Sequence, residues 1–124
     1  MPIDPTPIQI ELTPRFKRDL RDLAKRYRQI RSDLQLLIER LQAGECPGDQ
    51  IAGVNYTVFK VRLKNSDIQK GKSGGYRVIY YLKTAERIIL ATIYSKSDLS
   101  DVNAEVIETI IKQYEQQILP PDHR

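Results

Sequence analysis

Residues 88–94, Ile-Ile-Leu-Ala-Thr-Ile-Tyr, form a nearly continuous apolar run. A run of that length with polar residues before and after it reads as a central strand buried on both faces. Two further strand-like runs precede it. Tyr56–Leu63 alternates Val58, Lys60 and Arg62 on one face with Phe59, Val61 and Leu63 on the other. Tyr76–Leu82 follows a polar, basic, glycine-bearing loop at Lys64–Gly75. The connections are short, so the spacing predicts an antiparallel meander. Near the start of the chain Ile8, Ile10 and Leu12 alternate with Gln9 and Glu11, which predicts a short half-buried strand.

Helical periodicity fills the remainder. Thr13-Pro14 supplies an N-cap followed by proline at the first helical position. Phe16, Leu20, Leu23, Ala24 and Tyr27 then recur at helical spacing, predicting an amphipathic helix over 14–29 with a basic outer face. Ser32 is placed to cap a second helix carrying Leu34, Leu37, Ile38 and Leu41, which stops near Gly44. The link between the two helices allows only an antiparallel hairpin. Gly44 to Gly53 reads as an irregular loop. Residues 97–101 offer capping candidates, Asp98 and Asp101 among them, for a last helix. Its periodic residues are Val102, Val106, Ile110, Ile111 and Tyr114, and Pro120-Pro121 ends it.

The expected fold class is therefore α+β. An antiparallel sheet combines the N-terminal strand with a three-stranded meander, a two-helix hairpin packs on one face, and a C-terminal helix follows. The chain of 124 residues is read as a single domain, residues 1–124. Its core is expected at about 8–115, with flexible tails at 1–7 and 119–124. The sheet face bearing Lys60 and Arg62 calls for an explanation other than the hairpin.

Composition narrows the function classes. The one cysteine, Cys46, forms no internal disulfide, which excludes a disulfide scaffold and suits a reducing cytoplasm. No apolar run reaches the ~18 residues of a membrane span. The first residues, MPIDPTPIQIE, lack a charged-then-apolar signal pattern, so a cytoplasmic location is expected. With one histidine, His123 near the end, a paired-histidine mechanism is excluded.

The net charge of +4 conceals a segregation. Between Arg15 and Arg31 eight basic residues stand against Asp19 and Asp22. Between Tyr56 and Arg77, six (Lys60, Arg62, Lys64, Lys70, Lys72, Arg77) stand against Asp67. From Asp98 onward six carboxylates oppose Lys112 and Arg124. A basic front and middle with an acidic rear points to an anionic partner on one side; a solvated helix face is the better account of the charge at residues 15–31 and the poorer one at 56–77.

Lys60 and Arg62, two apart on a strand, point the same way. An antiparallel neighbour brings Arg77 to that face, and Lys96, just past the third meander strand, can close the group. Cations converge at such a place when an anion shares it, and arginine's fork suits phosphate. Lys64, Lys70 and Lys72 extend the basic surface, while Tyr76, Tyr80, Tyr81 and Tyr94 supply rings able to stack on RNA bases. About half of such strand tyrosines are core instead.

Asp67 is the one carboxylate between Tyr56 and Tyr81, so a metal-dependent nuclease with clustered carboxylates is not expected, and no cofactor is implied. Metal-free RNA cleavage remains, in which a 2′-hydroxyl attacks its adjacent phosphate. A lysine crowded by arginines can act as base, and the arginines stabilise the developing charge.

Three segments resemble the RelE/ParE toxin superfamily, most closely its RelE and HigB-type members. They are Phe59-Lys60-Val61-Arg62-Leu63, the stretch Lys70-Gly71-Lys72-Ser73-Gly74-Gly75-Tyr76-Arg77-Val78-Ile79-Tyr80-Tyr81, and Ile93-Tyr94-Ser95-Lys96-Ser97-Asp98. The resemblance covers about residues 8–115. It implies the toxin of a type II toxin–antitoxin pair, which enters the ribosomal A site, cuts mRNA there and is neutralised by a cognate antitoxin. By the same resemblance Lys60 and Arg62 match the family's basic pair, and Arg77 matches the arginine at the scissile phosphate. Lys96 falls beside a further basic position, here Ser97. The tyrosine that RelE members carry near the C-terminus has no match here, Tyr94 and Tyr114 being poor substitutes. The competing readings are a ParE-like inhibitor of DNA gyrase and a catalytically degenerate member that binds RNA or protein.

Overall fold

The computed structural model describes residues 7–67, 75–99 and 101–118. The elements run β1 (Gln9–Leu12), α1 (Pro14–Ala24), α2 (Ile30–Gln42), β2 (Asp49–Gln50), β3 (Val58–Leu63), β4 (Tyr76–Thr84), β5 (Arg87–Ser95) and α3 (Ala104–Ile118). The five strands form one sheet in the order β1-β5-β4-β3-β2. The α+β class, the meander, the hairpin and the C-terminal helix are as the patterning predicts. The expected tails and Pro120-Pro121 lie outside the described residues, apart from Pro7.

Two features of the sheet depart from expectation. First, β1 pairs with β5 in parallel, Gln9 opposite Arg87 through Leu12 opposite Leu90, so the sheet is mixed. Alternation identifies a strand but carries no information about its direction relative to a partner some eighty positions away in sequence. Second, the Gly44–Gly53 loop contains β2, with Asp49 opposite Lys60 and Gln50 opposite Phe59. Two residues are too short to show a period. Gly48 makes this pairing possible: its φ is +101°, and a Cβ there would lie 2.4 Å from the Lys60 carbonyl oxygen.

The helix hairpin forms as expected but with different ends. The Thr13 hydroxyl accepts from the Phe16 N–H at 2.9 Å and donates to the Ala91 carbonyl at 2.8 Å, tying the start of α1 to β5. α1 stops at Ala24 rather than at residue 29. Gln29 precedes α2 with no side-chain cap of its own, and Asp67, from the loop after β3, accepts its N–H at 2.8 Å. Ser32 therefore lies inside the first turn and is not the cap. Asp33, buried, accepts the Ser66 N–H at 2.9 Å and also pairs with the Ser66 hydroxyl. These two aspartates fasten the loop after β3 to the start of α2.

One core lies between the hairpin and the sheet, where Phe16, Leu37 and Leu41 meet Val61, Val78, Tyr80 and Leu90. A second core fills the opposite side: Ile107, Ile110 and Ile111 of α3 pack on Val58, Ile79, Tyr81, Ile89 and Ala91. α3 thus supplies the missing cover for the second face. Each fully buried isoleucine contributes about 1.5–3 kcal/mol relative to exposure. The helix phase differs from the expected one, since Ile107 is buried and Val106 is 39% exposed. The cap sets this phase. Asn103 accepts the Val106 N–H at 2.9 Å with its side chain and the Ile107 N–H at 3.1 Å with its carbonyl. Asp98 and Asp101 are not the caps. At its far end α3 is held by polar contacts: Glu115 accepts from Tyr81 and Lys83, and Tyr114 donates to Glu11 at 2.8 Å.

Candidate functional site

Cross-strand pairing arranges the α3 side of β3, β4 and β5 in successive rows. Val58 stands opposite Tyr81, Lys60 opposite Ile79, and Arg62 opposite Arg77. Arg77 in turn stands opposite Tyr94 on β5. Moving away from the α3 core, the rows change from apolar to cationic. Directly opposed residues place their Cβ atoms roughly 4.5–5.5 Å apart, and like charges there repel. The cluster is therefore a place where folding leaves positive charge uncompensated in its own strands.

The members differ in access. Arg62 is exposed and Lys60 half-buried. Arg77 is only 9% exposed and donates from Nη1 to the Tyr76 carbonyl at 3.2 Å. Gly75 directs the chain into this strand; its φ is +99°, and a Cβ would approach the Leu63 carbonyl oxygen to 2.7 Å. The Lys96 N–H bonds the Gly75 carbonyl at 3.0 Å, which places Lys96 at the Arg77 end of the sheet. Lys64 is exposed just beyond β3. Lys70 and Lys72 lie outside the described residues, as does His123.

The tyrosines divide between the cores. Tyr76 is fully buried on the hairpin side, edge-on to Tyr27 with ring centroids 5.7 Å apart. Tyr80, also on the hairpin side, stacks on Phe59 and donates to the Pro47 carbonyl at 2.6 Å. Tyr81 is buried under α3 with its hydroxyl on Glu115. The rings of Tyr76 and Tyr81, expected to stack on RNA, are thus packed in the interior and present no free face to a base. Strand parity already separates Tyr76 from the cluster, since it precedes Arg77 and points the opposite way.

Tyr94 is the tyrosine that reaches the cationic row. It is 7% exposed, and its hydroxyl donates to Asp101 Oδ1 at 3.4 Å. Burial, with the Asp101 charge adding and Arg77 opposing, pushes that hydroxyl up to about 12, so it carries its proton at neutral pH. Tyr114 lies elsewhere, on Glu11. Tyr94 also lines a cleft of about 330 Å³ between α1 and the end of β5, together with Arg26, Thr92, Asp98 and Leu99. Arg26 and Asp98 form an ion pair beside it.

Asp101 is the residue sequence reasoning missed. Its carboxylate lies 2.9 Å from the Lys60 Nζ and accepts the Val102 N–H at 2.8 Å. Hydrogen bonds from Lys60 and Val102 hold it below the usual carboxylate range. No spacing signal relates residues 60 and 101, and a cluster of acids ahead of a helix reads as capping.

Among the described residues no group of three or more His, Cys, Asp or Glu side chains is placed to hold a metal ion. None of the described helices is long and apolar enough to cross a membrane.

The family described as the ParE toxin of the type II toxin–antitoxin system parDE matches residues 10–99. That span includes β1 from Ile10 onward, β2 through β5 and all four cations, Lys60, Arg62, Arg77 and Lys96. Among solved structures, the chain is similar to an arginine-to-alanine double mutant of the Escherichia coli toxin RelE in its free state. The TM-score is 0.51 at 15% identity, over 92% of this chain and 100% of that one, which is a likeness of fold. With the match spanning the sheet, the hairpin and the cationic row, the chain belongs to the ParE toxin family of type II toxin–antitoxin systems, whose toxins pair with an antitoxin.

Proposed function

We propose that this toxin is a metal-independent mRNA endoribonuclease that acts on the ribosome and blocks translation. The observation that carries the reading is the opposition of Arg62 and Arg77, with Lys60 one pair along and Tyr94 beside Arg77. Opposed arginines cost stability in the free protein and are suited to a phosphate, which offers them bidentate acceptors.

In the proposed reaction the RNA 2′-oxygen forms a bond to its own 3′-phosphorus and the bond from phosphorus to the 5′-oxygen breaks. The products are a 2′,3′-cyclic phosphate and a free 5′-hydroxyl. Arg62 and Arg77 stabilise the charge that grows on the phosphorane. Lys60 takes the 2′-hydroxyl proton, Tyr94 supplies the proton to the leaving oxygen, and Lys96 adds positive charge at the Arg77 end. DNA is not cut in this scheme, because the nucleophile belongs to RNA. The basic outer face of α1 adds a salt-dependent, sequence-independent grip on ribosomal RNA. The site's cationic face is suited to an acidic antitoxin segment that covers it.

Expression of the toxin, with 5′ ends mapped on cellular mRNA, tests this. New ends are expected with the native chain and none with Arg77→Ala or Lys60→Ala. Full toxicity in both variants overturns the site. The ParE family match favours a second reading, inhibition of DNA gyrase on the same fold. Lost supercoiling activity with intact translation supports that reading over the first. Normal ribosome binding with no mRNA cut supports a degenerate binder.

A further inference from the structure

Lys60 and Tyr94 come from β3 and β5, the two strands that flank β4, yet both reach the same atom. Asp101 Oδ1 takes the Lys60 ammonium at 2.9 Å, the Tyr94 hydroxyl at 3.4 Å and the Val102 N–H at 2.8 Å. A single oxygen that gathers an ammonium and a hydroxyl from a cationic sheet face occupies the position an anionic oxygen of a ligand would take. The carboxylate belongs to no helix cap, since Asn103 fills that role for α3. It is not part of the core either, because Asp101 is exposed. Its partners are the Lys60 ammonium, the Tyr94 hydroxyl and the adjacent backbone N–H of Val102.

We propose that Asp101 is an internal phosphate mimic: its carboxylate marks a phosphate subsite whose donors are Lys60 and Tyr94, and a phosphate must displace it to bind there. The inference deepens the proposed function, resting on the reading of this face as phosphate-binding. It adds a residue that sets the affinity of the face.

The chemistry has two consequences. Before displacement Lys60 is an ion-paired ammonium and does not act as a base. After displacement the Lys60 amine and the Tyr94 hydroxyl meet a phosphate oxygen, with the Arg62–Arg77 row adjoining, and Lys60 is released from the carboxylate that keeps it from acting as a base. A carboxylate replaced by its amide keeps the size of the side chain and removes the charge that competes with phosphate. Exposed ion pairs hold about 0.2–1 kcal/mol, so the gain in phosphate affinity on removing the competitor is about 1.4-fold to fivefold.

Titration with inorganic phosphate, followed by backbone amide NMR, tests the subsite without any nucleic acid. Asp101→Asn is expected to bind phosphate about 1.4-fold to fivefold more tightly than the native chain, with the Lys60, Tyr94 and Val102 signals moving. In a Lys60→Gln background the gain is expected to disappear. Equal or weaker binding by Asp101→Asn overturns the proposal, as does a gain that persists undiminished without Lys60. The ribonuclease reading is judged separately by mRNA cleavage. A phosphate gain with no cleavage by either form sinks that reading and leaves the subsite standing, whereas cleavage with no phosphate gain sinks the subsite alone.

Discussion

Arg62 on β3 and Arg77 on β4 stand directly opposite each other in the ladder, two guanidinium groups on one sheet face in the row next to Lys60. Their opposition costs stability in the free protein, and in the proposed function it serves anion binding. Replacing Arg62, the exposed member, with a neutral strand former is therefore expected to separate the two. Arg62→Thr should raise stability by about 0.2–1 kcal/mol through relief of like-charge opposition, while growth inhibition is lost. Chemical denaturation and a toxicity assay on the same variant check this; a less stable Arg62→Thr protein shows that the opposition is already compensated.

The phase of α3 gives a second test. Ile107 is buried in the α3 core and Val106 beside it is exposed. Ile107→Ala is expected to cost about 2–5 kcal/mol, against a change within about 0.5 kcal/mol for Val106→Ala. Equilibrium unfolding in urea measures both. Similar losses at the two positions would place the helix in the phase expected from Val102 and Val106.

Gly75 and Gly44 share a left-handed backbone but not a neighbourhood. At Gly44, with φ +94°, an added Cβ meets nothing within 4 Å, whereas at Gly75 it meets the Leu63 carbonyl oxygen at 2.7 Å. Gly44→Ala is expected to cost about 1–2 kcal/mol from conformation alone. Gly75→Ala is expected to cost more and also to weaken activity, because it shifts the entry to Arg77. Thermal unfolding ranks the two, and equal losses would mean that the Leu63 backbone moves aside freely.

Acid stability follows from the carboxylates that latch α3. Burial acts to raise Glu11, but hydrogen bonds from Arg87 and Tyr114, with the charges of Arg87 and Lys83, hold it below its ordinary 4.5. Glu115 behaves likewise: burial opposes, and Lys83 and Tyr81 outweigh it. A carboxylate depressed in the folded state contributes stability that is present above the unfolded pKa and lost as pH falls through the folded one. Stability should therefore decline on acidification below about pH 4.5, and the decline should be shallower in Glu11→Gln/Glu115→Gln. Unfolding midpoints across the acid range decide it; an unchanged slope in the double variant assigns the acid sensitivity to other carboxylates.

Local pattern determined much of this protein. Alternation and helical period are properties of neighbouring residues, so β3, β4, β5, the hairpin and α3 are legible in the chain itself. The shared face of Lys60 and Arg62 follows from a spacing of two, and the charge segregation from counting. Tertiary structure alone decided the parallel seat of β1 beside β5, the end of α1 at Ala24 and the phase of α3. It also decided which tyrosines are interior and brought Asp101 onto Lys60. In each case the deciding partner is distant in sequence: Asp67 for the Gln29 N–H, Glu115 for Tyr81, Asp101 for Lys60. A residue's intrinsic preference is local and survives in the sequence, whereas the partner that satisfies its charge or hydrogen bond is chosen by the packing of whole elements.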